Sequence, residues 1–270
     1  MAALCATLTT CRFTTAPERP AGAVPLAPPA VYARWWAMAE SCSGARGPLA
    51  DVAFFEVPGV PDFDHDGRRI LGYWTNIGNQ IVLAGGAARD GGNVRHEMLH
   101  ALLRVGGHPR DQFLGKCAGV VDCNSDCVGD AGPAPAANPA ALPVLPSALE
   151  VTIQVTPATP TTAVDDGYFT LTVNVRNLAT KPVVAKLGST NVLTRSFQYE
   201  VRGAVGGLAS SELVLDASSI TFGPGETKRQ VFDFSIGSVL PSRQLPPGVY
   251  TMMGAYGAHW SGTASVAVGP

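Results

Sequence analysis

The chain has 270 residues, a formal net charge of −2 and six cysteines. This length corresponds to one large domain or two ordinary ones, and either can bury a hydrophobic core. The weak net charge and the absence of Lys/Arg runs argue against nucleic acid or an anionic membrane as an electrostatic partner. No apolar run approaches the roughly 18 residues of a membrane-spanning helix.

Residues 1–30 are predicted to form an N-terminal segment without a core, because the stretch 12–30 is rich in proline, alanine and glycine. The residues before Cys11 are similar to the end of a bacterial lipoprotein signal, in which the cysteine carries the lipid. Thr10 departs from that pattern, which usually has Gly, Ala or Ser before the cysteine. Two interpretations stay open: a lipid anchor at Cys11, and a frayed terminus.

The first elements are a helix and short strands. Tyr32 and Trp35 belong to an aromatic pattern with helical spacing that predicts a helix over about 31–41. The acidic stretch 62–67 begins like a calcium loop, but Tyr73 stands at the twelfth position, where that loop needs an acidic ligand. A polar surface turn is therefore favoured. Strands are predicted over 52–57, 69–74 and 80–84.

A second helix carries the pattern that bears most directly on function. It is predicted to run from Asn93, a favourable N-cap, to the residue before Gly106. It contains His96-Glu97-Met98-Leu99-His100, an HExxH pattern. Four residues are about one helical turn, so the two imidazoles project from one face and can hold one metal ion. Glu97 is rotated from that face and can act as a general base on a metal-bound water.

A short loop separates this helix from the preceding strand, as in the zincin metallopeptidases, in which an edge strand holds the substrate extended. The chain resembles the zincins over residues 31–128. The resemblance implies that His96 and His100 bind Zn²⁺, that Glu97 is the general base, and that the substrate is a peptide or protein. A Tyr, His or Arg near the metal usually stabilises the oxyanion in this family, and the unranked candidates are Tyr73, Tyr32 and Arg104.

The third zinc ligand cannot follow either familiar zincin pattern. A catalytic zinc takes three protein ligands and keeps one position open. No glutamate lies between Glu97 and Glu150, which excludes the gluzincin arrangement. In the metzincin pattern HExxHxxGxxH, the glycine position is Leu103 and the third histidine position is Gly106. The metzincin arrangement therefore fails as well.

His108 is the preferred third ligand. Glycine readily adopts the left-handed conformation, so the pair Gly106-Gly107 at the helix end could swing His108 back toward the metal. The stretch from His96 to Phe113 also resembles uncharacterised bacterial exported metallopeptidase-like proteins, which supports this choice. A carboxylate is an acceptable zinc ligand too. Three carboxylates therefore stay open behind His108: Asp111 first, then Asp122 and Asp126.

Four cysteines flank the candidate site: Cys42, Cys117, Cys123 and Cys127. Their spacing lacks the CxxC pairs of zinc ribbons, so two disulfides are predicted rather than a structural zinc site. Three pairings are open, and Cys42–Cys117 is the first choice. That bond would tie the loop after His108 to the first helix. Disulfides also fit a protein exported from a bacterium to the cell envelope or beyond.

The second half of the chain is predicted to be all-β. Residues 129–148 form a Pro/Ala-rich linker in which five prolines exclude helix and sheet. Beyond it, short alternating runs separated by turns such as Pro224-Gly225 indicate an antiparallel sandwich at 149–270, which resembles Ig-like bacterial accessory domains. The predicted strands are 149–156, 168–177, 182–187, 197–202, 212–215, 228–236, 249–255 and 264–268.

The predicted fold class is α+β, with a zincin-like catalytic domain at 31–128 followed by the Ig-like sandwich. The function implied by the resemblance is that of an exported zinc-dependent endopeptidase. The alternative from another class is a catalytically inactive, zinc-stabilised binding or adhesion protein of the cell envelope. A zinc hydrolase acting on a non-peptide bond is the third reading.

Overall fold

The computed structural model describes residues 19–123, 127, 142–143, 148–163, 165–186, 197–203, 206–212, 219–236, 244–256 and 259–270. Its architecture is mixed α+β, with helices α1 (Val31–Ser43) and α2 (Gly91–Leu103) and several small sheets. Within these residues, no helix is both long enough and apolar enough to cross a membrane.

A four-stranded mixed sheet organises the N-terminal part. Its strands stand in the order β1-β2-β6-β5. The central strands β2 and β6 are parallel, whereas both edge strands are antiparallel to their neighbours. A separate hairpin, β3–β4, lies between β2 and β5 in the chain. The bounds are β1 (Val24–Pro25), β2 (Ala53–Val57), β3 (Phe63–His65), β4 (Arg68–Ile70), β5 (Gly72–Thr75) and β6 (Gln80–Ala84).

The two helices cover one face of this sheet. Trp35 of α1 and Met98 of α2 belong to one buried cluster with Phe54 and Leu83 of the sheet. Alternate residues of the same strands, such as Val82, join a second cluster on the other face. Because side chains alternate along a strand, one sheet serves both cores. Helix α1 ends at Gly44, whose left-handed backbone (φ 77°) returns an N–H to Glu40 O.

The structure corrects three predictions in this part. Residues 69–74 form two strands instead of one, because 68–70 pair with β3 while 72–75 pair with β6. The strand directly before α2, β6, is fully buried inside the sheet, and the edge position belongs to β5. Residues 1–30 were predicted to be an N-terminal segment without a core, but Val24–Pro25 form a strand that pairs with β2. The polar turn is confirmed: Asp66 and Gly67 both have positive φ and close the β3–β4 hairpin.

The C-terminal part is built from strands, as predicted. Three strands have the bounds that were predicted: 149–156, 168–177 and 264–268. Of the predicted strand 212–215, only Glu212 is described. The strands are β7 (Leu142–Pro143), β8 (Leu149–Thr156), β9 (Tyr168–Asn177), β10 (Val183–Lys186), β11 (Phe197–Gly203), β12 (Gly206–Glu212), β13 (Ser219–Phe222), β14 (Thr227–Ser235), β15 (Gly248–Tyr256), β16 (His259–Trp260) and β17 (Ala264–Val268).

Two antiparallel sheets of this part share one hydrophobic core. One has the order β14-β9-β8, and the other has the order β12-β11-β15-β16, with β17 also on β15. Tyr199 of the second sheet packs edge-on against Phe232 and Phe234 of the first, with ring centroids 4.7 and 5.1 Å apart. A third sheet, β13-β10-β7, contains two residues of the predicted linker. The prediction that prolines exclude strand there is therefore wrong at β7, while most of the linker lies outside the described residues.

The two parts of the chain contact each other directly. Trp35 of α1 packs edge-on against Tyr168 of β9, with ring centroids 5.5 Å apart. The Arg34 guanidinium donates to the carbonyl oxygens of Thr156 (3.1 Å) and Tyr168 (2.9 Å). Tyr168 is also a member of the helix-side cluster of the N-terminal part. The strand-rich half is therefore packed against the helices as well as joined to them in sequence.

Candidate metal centre

Helix α2 brings the first two histidines together. Asp90 is its N-cap and accepts a hydrogen bond from the Gly92 N–H, so the predicted cap, Asn93, is wrong by three residues. His96 and His100 lie one turn apart, and their Nε2 atoms are 3.2 Å apart. His100 is buried and His96 is half-buried. The pair thus has the facing arrangement that the HExxH spacing predicts.

The chain then reverses and adds His108 to the pair. Its Nε2 lies 3.0 Å from the His96 Nε2. The reversal does not use glycine in the way predicted: α2 ends at Leu103, and the left-handed residue is Arg104, with φ 57° and ψ 36°. Gly106 and Gly107 lie outside the left-handed region, and a Cβ at either would meet nothing within 4 Å. The third histidine therefore arrives by a different turn from the one expected.

Backbone carbonyls fix how the two helical imidazoles are protonated. The His96 Nδ1 lies 2.6 Å from Asp122 O, and the His100 Nδ1 lies 2.8 Å from Val105 O. A carbonyl oxygen only accepts, so each Nδ1 must carry the proton and each Nε2 of a neutral ring must be bare. Two bare nitrogens 3.2 Å apart repel each other unless a cation lies between them. A cation bound between the two Nε2 atoms would therefore remove this repulsion.

The separations fit zinc. The ring nitrogens of His96, His100 and His108 all lie within 4.8 Å of one another. Tetrahedral zinc with nitrogen bonds of about 2.0–2.1 Å puts its ligand atoms roughly 3.3 Å apart, close to the observed 3.0 and 3.2 Å. Three neutral imidazoles are also an established zinc ligand set that leaves a fourth position open.

The surroundings keep the imidazoles of His96 and His100 neutral. Burial, followed by the neighbouring His100 and His108, lowers the pKa of His96 to about 3, although its bond to Asp122 opposes the shift. Burial also lowers the pKa of His100 to about 4, against the effect of its bond to Val105. Neutral imidazole is the form that coordinates a metal. His96 and His100 are thus held in their ligand form at neutral pH.

Glu97 lies beside the cluster but not within it. The carboxylate is not among the groups of closely spaced ligand atoms that occur in the described residues. It is 8% exposed and lies under β5, where a Cβ on Gly72 would be 3.5 Å from its Cγ. Burial raises the pKa of Glu97 to about 8, while a hydrogen bond from the Trp74 backbone N–H opposes the rise. A carboxyl with a pKa near neutrality can both take up and release a proton.

Phe113 forms a wall behind the histidines. It is fully buried, and its ring centroid lies 5.0, 4.7 and 4.9 Å from those of His96, His100 and His108. It sits in a π-helical turn at Asp111–Lys116, immediately after the third histidine. The sequence resemblance included this phenylalanine but gave it no role. Its contacts with all three rings show that it fixes their packing.

The segment 117–122, called the strap below, crosses behind the first turn of α2. Cys117 at its start forms a disulfide with Cys42 at the end of α1, which confirms the predicted first choice. The Asp122 carbonyl at its end accepts from His96. The remaining pair, Cys123 and Cys127, is also disulfide-bonded and lies close to His96. The strap is thus tied covalently to α1 at its start, and a local disulfide follows its end.

The alternative third ligands occupy other places. Asp111 is exposed and stands outside the histidine group. The Asp122 carboxylate lies over the α2 backbone, since a Cβ on Gly92 would come within 2.3 Å of it. Asp126 lies outside the described residues. The structure therefore brings His108, and neither described carboxylate, to His96 and His100.

The oxyanion candidates are also distributed over different surroundings. The Tyr32 hydroxyl is buried and donates to Ala88 O at 2.7 Å. Tyr73 stacks on His65, with centroids 4.1 Å apart, and packs on the sheet face opposite the helices. Arg104 is exposed and lines a small cavity between α1 and α2. Tyr32 is thus engaged in the core, and Tyr73 faces away from the helix side of the sheet.

Comparisons with known proteins return no family. No family model matches the sequence, and no curated protein matches it. Among solved structures, the alkylpurine DNA glycosylase AlkC of Pseudomonas fluorescens overlaps 45% of this chain and 30% of its own, at 15% identity and TM-score 0.30. The putative ApaA protein of Bordetella pertussis overlaps 47% and 97%, at 17% identity and TM-score 0.29. A β-glucosidase of Listeria innocua overlaps 45% and 16%, at 11% identity and TM-score 0.29.

These overlaps cover less than half of this chain, and they span under a third of the glycosylase and under a fifth of the glucosidase. At TM-scores near 0.3 they establish neither a shared fold nor a shared function. The functional argument therefore depends on the site itself.

Proposed function

We propose that this protein is a zinc-dependent endopeptidase of the zincin type. The observation that carries the proposal is the meeting of three imidazole nitrogens, from His96, His100 and His108, beside the buried carboxyl of Glu97. The first two histidines and Glu97 stand in the HExxH order. Their helix packs under a mixed sheet whose nearest edge strand, β5, is antiparallel to its neighbour.

His96, His100 and His108 would hold the metal. When bound, zinc would acidify a coordinated water and polarise a peptide carbonyl. Asp122 O and Val105 O each accept from one ring, which aims its other nitrogen at the shared centre. These carbonyls and Phe113 keep the ligands in place before a metal arrives.

Glu97 is the general base in this proposal. It takes a proton from the attacking water and delivers it to the leaving amine of the cut bond. Burial supports the first transfer, because a carboxylate whose pKa is raised to about 8 takes up a proton more readily than an exposed one. The Trp74 N–H steadies the carboxylate from the edge strand.

The outer edge of β5 is the substrate-binding strand in this proposal. Leu71 O accepts from Ala84 N, so by alternation the backbone groups of Gly72 and Trp74 face away from β6. The Trp74 N–H is taken by Glu97, so an extended peptide can pair with the Gly72 N–H and with the carbonyls of both residues and lie alongside Glu97. Cleavage of internal bonds is the part of the proposal that comes from the zincin resemblance, and an open strand edge is compatible with it.

The finer domain assignment belongs to the same proposal. Residues 31–128 would be the zincin-like domain, and 149–270 an Ig-like accessory domain. The disulfides support export to the bacterial cell envelope or beyond it. Lipid attachment at Cys11, which lies outside the described residues, stays an open part of the prediction.

Cleavage by purified full-length protein tests the proposal. We expect an unstructured protein substrate to be cut, the activity to disappear with a chelator, and added Zn²⁺ to restore it. Glu97→Gln should still bind one zinc per chain but lose activity by roughly 10²- to 10⁴-fold, because the proton acceptor is gone. Glu150→Gln, at an exposed position on β8, is the matched control and should cleave like the wild type.

Zinc content in the same preparations tests the ligand set. His108→Ala should lose zinc, whereas Asp111→Ala should keep it. Wild-type protein that binds zinc at the three histidines but cuts no peptide would favour the alternative, a zinc-stabilised binding or adhesion protein. Full activity in Glu97→Gln would exclude Glu97 as the base.

A further inference from the structure

The N-terminal half of α2 is joined to the strand-rich half of the protein by a buried ion pair. Arg95, the residue before His96, is 1% exposed. Its two terminal nitrogens donate to the two carboxylate oxygens of Asp233 in β14, at 3.0 and 2.9 Å. The partners are 138 residues apart in sequence. A bidentate pair of this kind fixes orientation as well as distance.

The same guanidinium also holds the strap. The Arg95 Nε donates to Val120 O at 2.5 Å. The arginine therefore connects Asp233 on one side to the middle of the strap on the other. Gly91 makes room for this contact, because a Cβ there would come within 2.7 Å of both the guanidinium and the Asp233 carboxylate.

Strand β14 contacts the strap a second time through its backbone. The Val231 N–H donates to Gly119 O at 2.8 Å. Gly119 is left-handed (φ 73°), and a Cβ on it would lie 1.9 Å from Arg229 O. The close approach needs glycine at this position. The strap is therefore seated on β14 over several residues.

The far end of the strap sets the orientation of a candidate metal ligand. Two residues after Val120, the Asp122 carbonyl accepts from the His96 Nδ1 at 2.6 Å. The Asp122 N–H also donates to Gly92 O at 3.2 Å, which closes the strap onto α2. A continuous path thus runs from Asp233 through Arg95 and the strap to the His96 ring.

We infer that Asp233 is a positioning residue of the metal centre, acting from the strand-rich half of the chain. Asp233 sets the Arg95 guanidinium, which sets the strap, and the strap presents the carbonyl that fixes the tautomer and angle of His96. The inference rests on the proposed function for the identity of the centre. It assigns the C-terminal half a part in metal binding that accessory or adhesive roles would not require.

The competing explanation is that the ion pair only holds the two halves together. Arg34 provides a matched control, because it also joins the halves but does so from α1, through Thr156 O and Tyr168 O. Arg34→Met removes a contact between the halves without touching α2 or the strap. Asp233→Asn keeps the size of the side chain and removes its charge.

Two measurements on the full-length protein separate these explanations. The first is Co²⁺ affinity, followed through the visible absorption of the bound ion. Loss of support behind a metal-binding histidine costs about 10- to 100-fold in affinity, and we expect a loss in this range for Asp233→Asn and less than about twofold for Arg34→Met. The second is the His96 tautomer in metal-free protein, read from ¹⁵N–¹H couplings. It should be Nδ1–H in wild type and Arg34→Met, and mixed in Asp233→Asn.

A second variant covers the case in which Asp233→Asn fails to fold. Arg95→Met/Asp233→Leu replaces the buried pair by apolar side chains and leaves no unpaired charge. This double variant should fold. Its Co²⁺ affinity should be lower than that of the wild type, because the Arg95 donor to Val120 O is gone. Wild-type Co²⁺ affinity and an unchanged His96 tautomer in a folded variant would overturn the inference.

These readouts are independent of catalysis. A wild-type protein that binds Co²⁺ but cleaves no peptide would refute the proposed peptidase and leave the role of Asp233 to be judged on affinity. If the wild type bound no Co²⁺, the tautomer would decide: a His96 ring that keeps Nδ1–H in Asp233→Asn contradicts the inference, and a mixed one supports it.

Discussion

Arg104 shows how a single residue can carry backbone strain next to the candidate site. Of the non-glycine residues with positive φ in the described part, Asp66, Asn79 and Asp166 are of the types that tolerate this region, and Arg104 is not. It terminates α2 and starts the reversal that leads to His108. The strain is therefore stored where the third imidazole is delivered.

Replacing Arg104 by glycine should stabilise the protein by about 1 kcal/mol. Relief of the left-handed penalty, roughly 1–2 kcal/mol, outweighs the entropy that glycine adds to the unfolded chain, about 0.5–1 kcal/mol. Urea unfolding of the metal-free variant measures the change. Gly106→Ala is the comparison variant and should stabilise by about 0.4–1 kcal/mol through the unfolded chain alone, since that residue is not left-handed and the space around its Cβ is open. A less stable Arg104→Gly would contradict the explanation.

The two histidines of α2 make the stability of the metal-free protein depend on pH. The pKa values of His96 and His100 are lowered to about 3 and 4, whereas an unfolded histidine titrates near 6.5. Between these values the unfolded chain binds protons that the folded chain rejects. The stabilisation is therefore complete above about pH 6.5 and is lost as the pH falls toward 4.

The contribution of Glu97 to the pH dependence of stability has the opposite sign to that of the histidines, so the measurement needs the Glu97→Gln variant. Its raised pKa gives stabilisation that is present below about pH 4.5 and lost as the pH rises through about 8. In chelator, the free energy of unfolding of Glu97→Gln should fall between pH 6.5 and 4, and that of the wild type should fall less. Equal slopes would show that Glu97 titrates alike in the folded and unfolded chains.

The Cys42–Cys117 disulfide acts at the scale of whole elements. It joins the end of α1 to the residue that follows the π-helical turn carrying Phe113, with Cα atoms 5.0 Å apart. It closes a loop with a sequence separation of 75, and that loop contains α2. Constraining a loop of this length in the unfolded chain is worth about 4 kcal/mol in the chain-entropy account.

Removing this disulfide should therefore weaken the protein and the metal centre together. We expect the free energy of unfolding of Cys42→Ser/Cys117→Ser to be about 4 kcal/mol lower than that of the wild type. We also expect the variant to bind Co²⁺ less tightly, because Phe113 and the strap are less constrained. Urea titration and Co²⁺ titration measure the two effects. Lower stability with unchanged affinity would mean that packing alone holds the strap.

Sequence patterns predicted the elements better than their ends. The α1 pattern, the β6 run and most C-terminal strands are strongly periodic and appear where expected. The start of α2 was predicted three residues late, because Gly91-Gly92 reads as loop. These helical positions need glycine because a Cβ there would collide with the Asp233 or Asp122 side chain. That requirement comes from residues far away in sequence.

The same distinction applies to the candidate site. His96, Glu97 and His100 could be predicted because one helical turn relates them, and His108 because it lies just beyond the helix. The Phe113 wall and the Arg95–Asp233 pair could not be assigned. Their roles depend on the fold of the strap and on the docking of β14, which no local pattern in the sequence encodes.

At the scale of the whole molecule, the halves are coupled more closely than a linker composition suggests. Both helices contact the strand-rich half. Helix α1 does so through Trp35, which packs on Tyr168, and through Arg34, and helix α2 does so through the Arg95–Asp233 pair. A second domain that were merely tethered would not be expected to share buried side chains with the first. For the described residues, unfolding of one half therefore exposes buried groups of the other.

The two edges of the four-stranded sheet are unequal. At one edge, β1 offers two residues, and Pro25 has no N–H to give to another strand. At the other edge, β5 offers four residues, of which Gly72 and Trp74 turn their backbone groups outward, next to Glu97. Growth of this sheet is therefore directional. A chain that pairs with the longer edge, β5, therefore lies next to the buried carboxyl of Glu97.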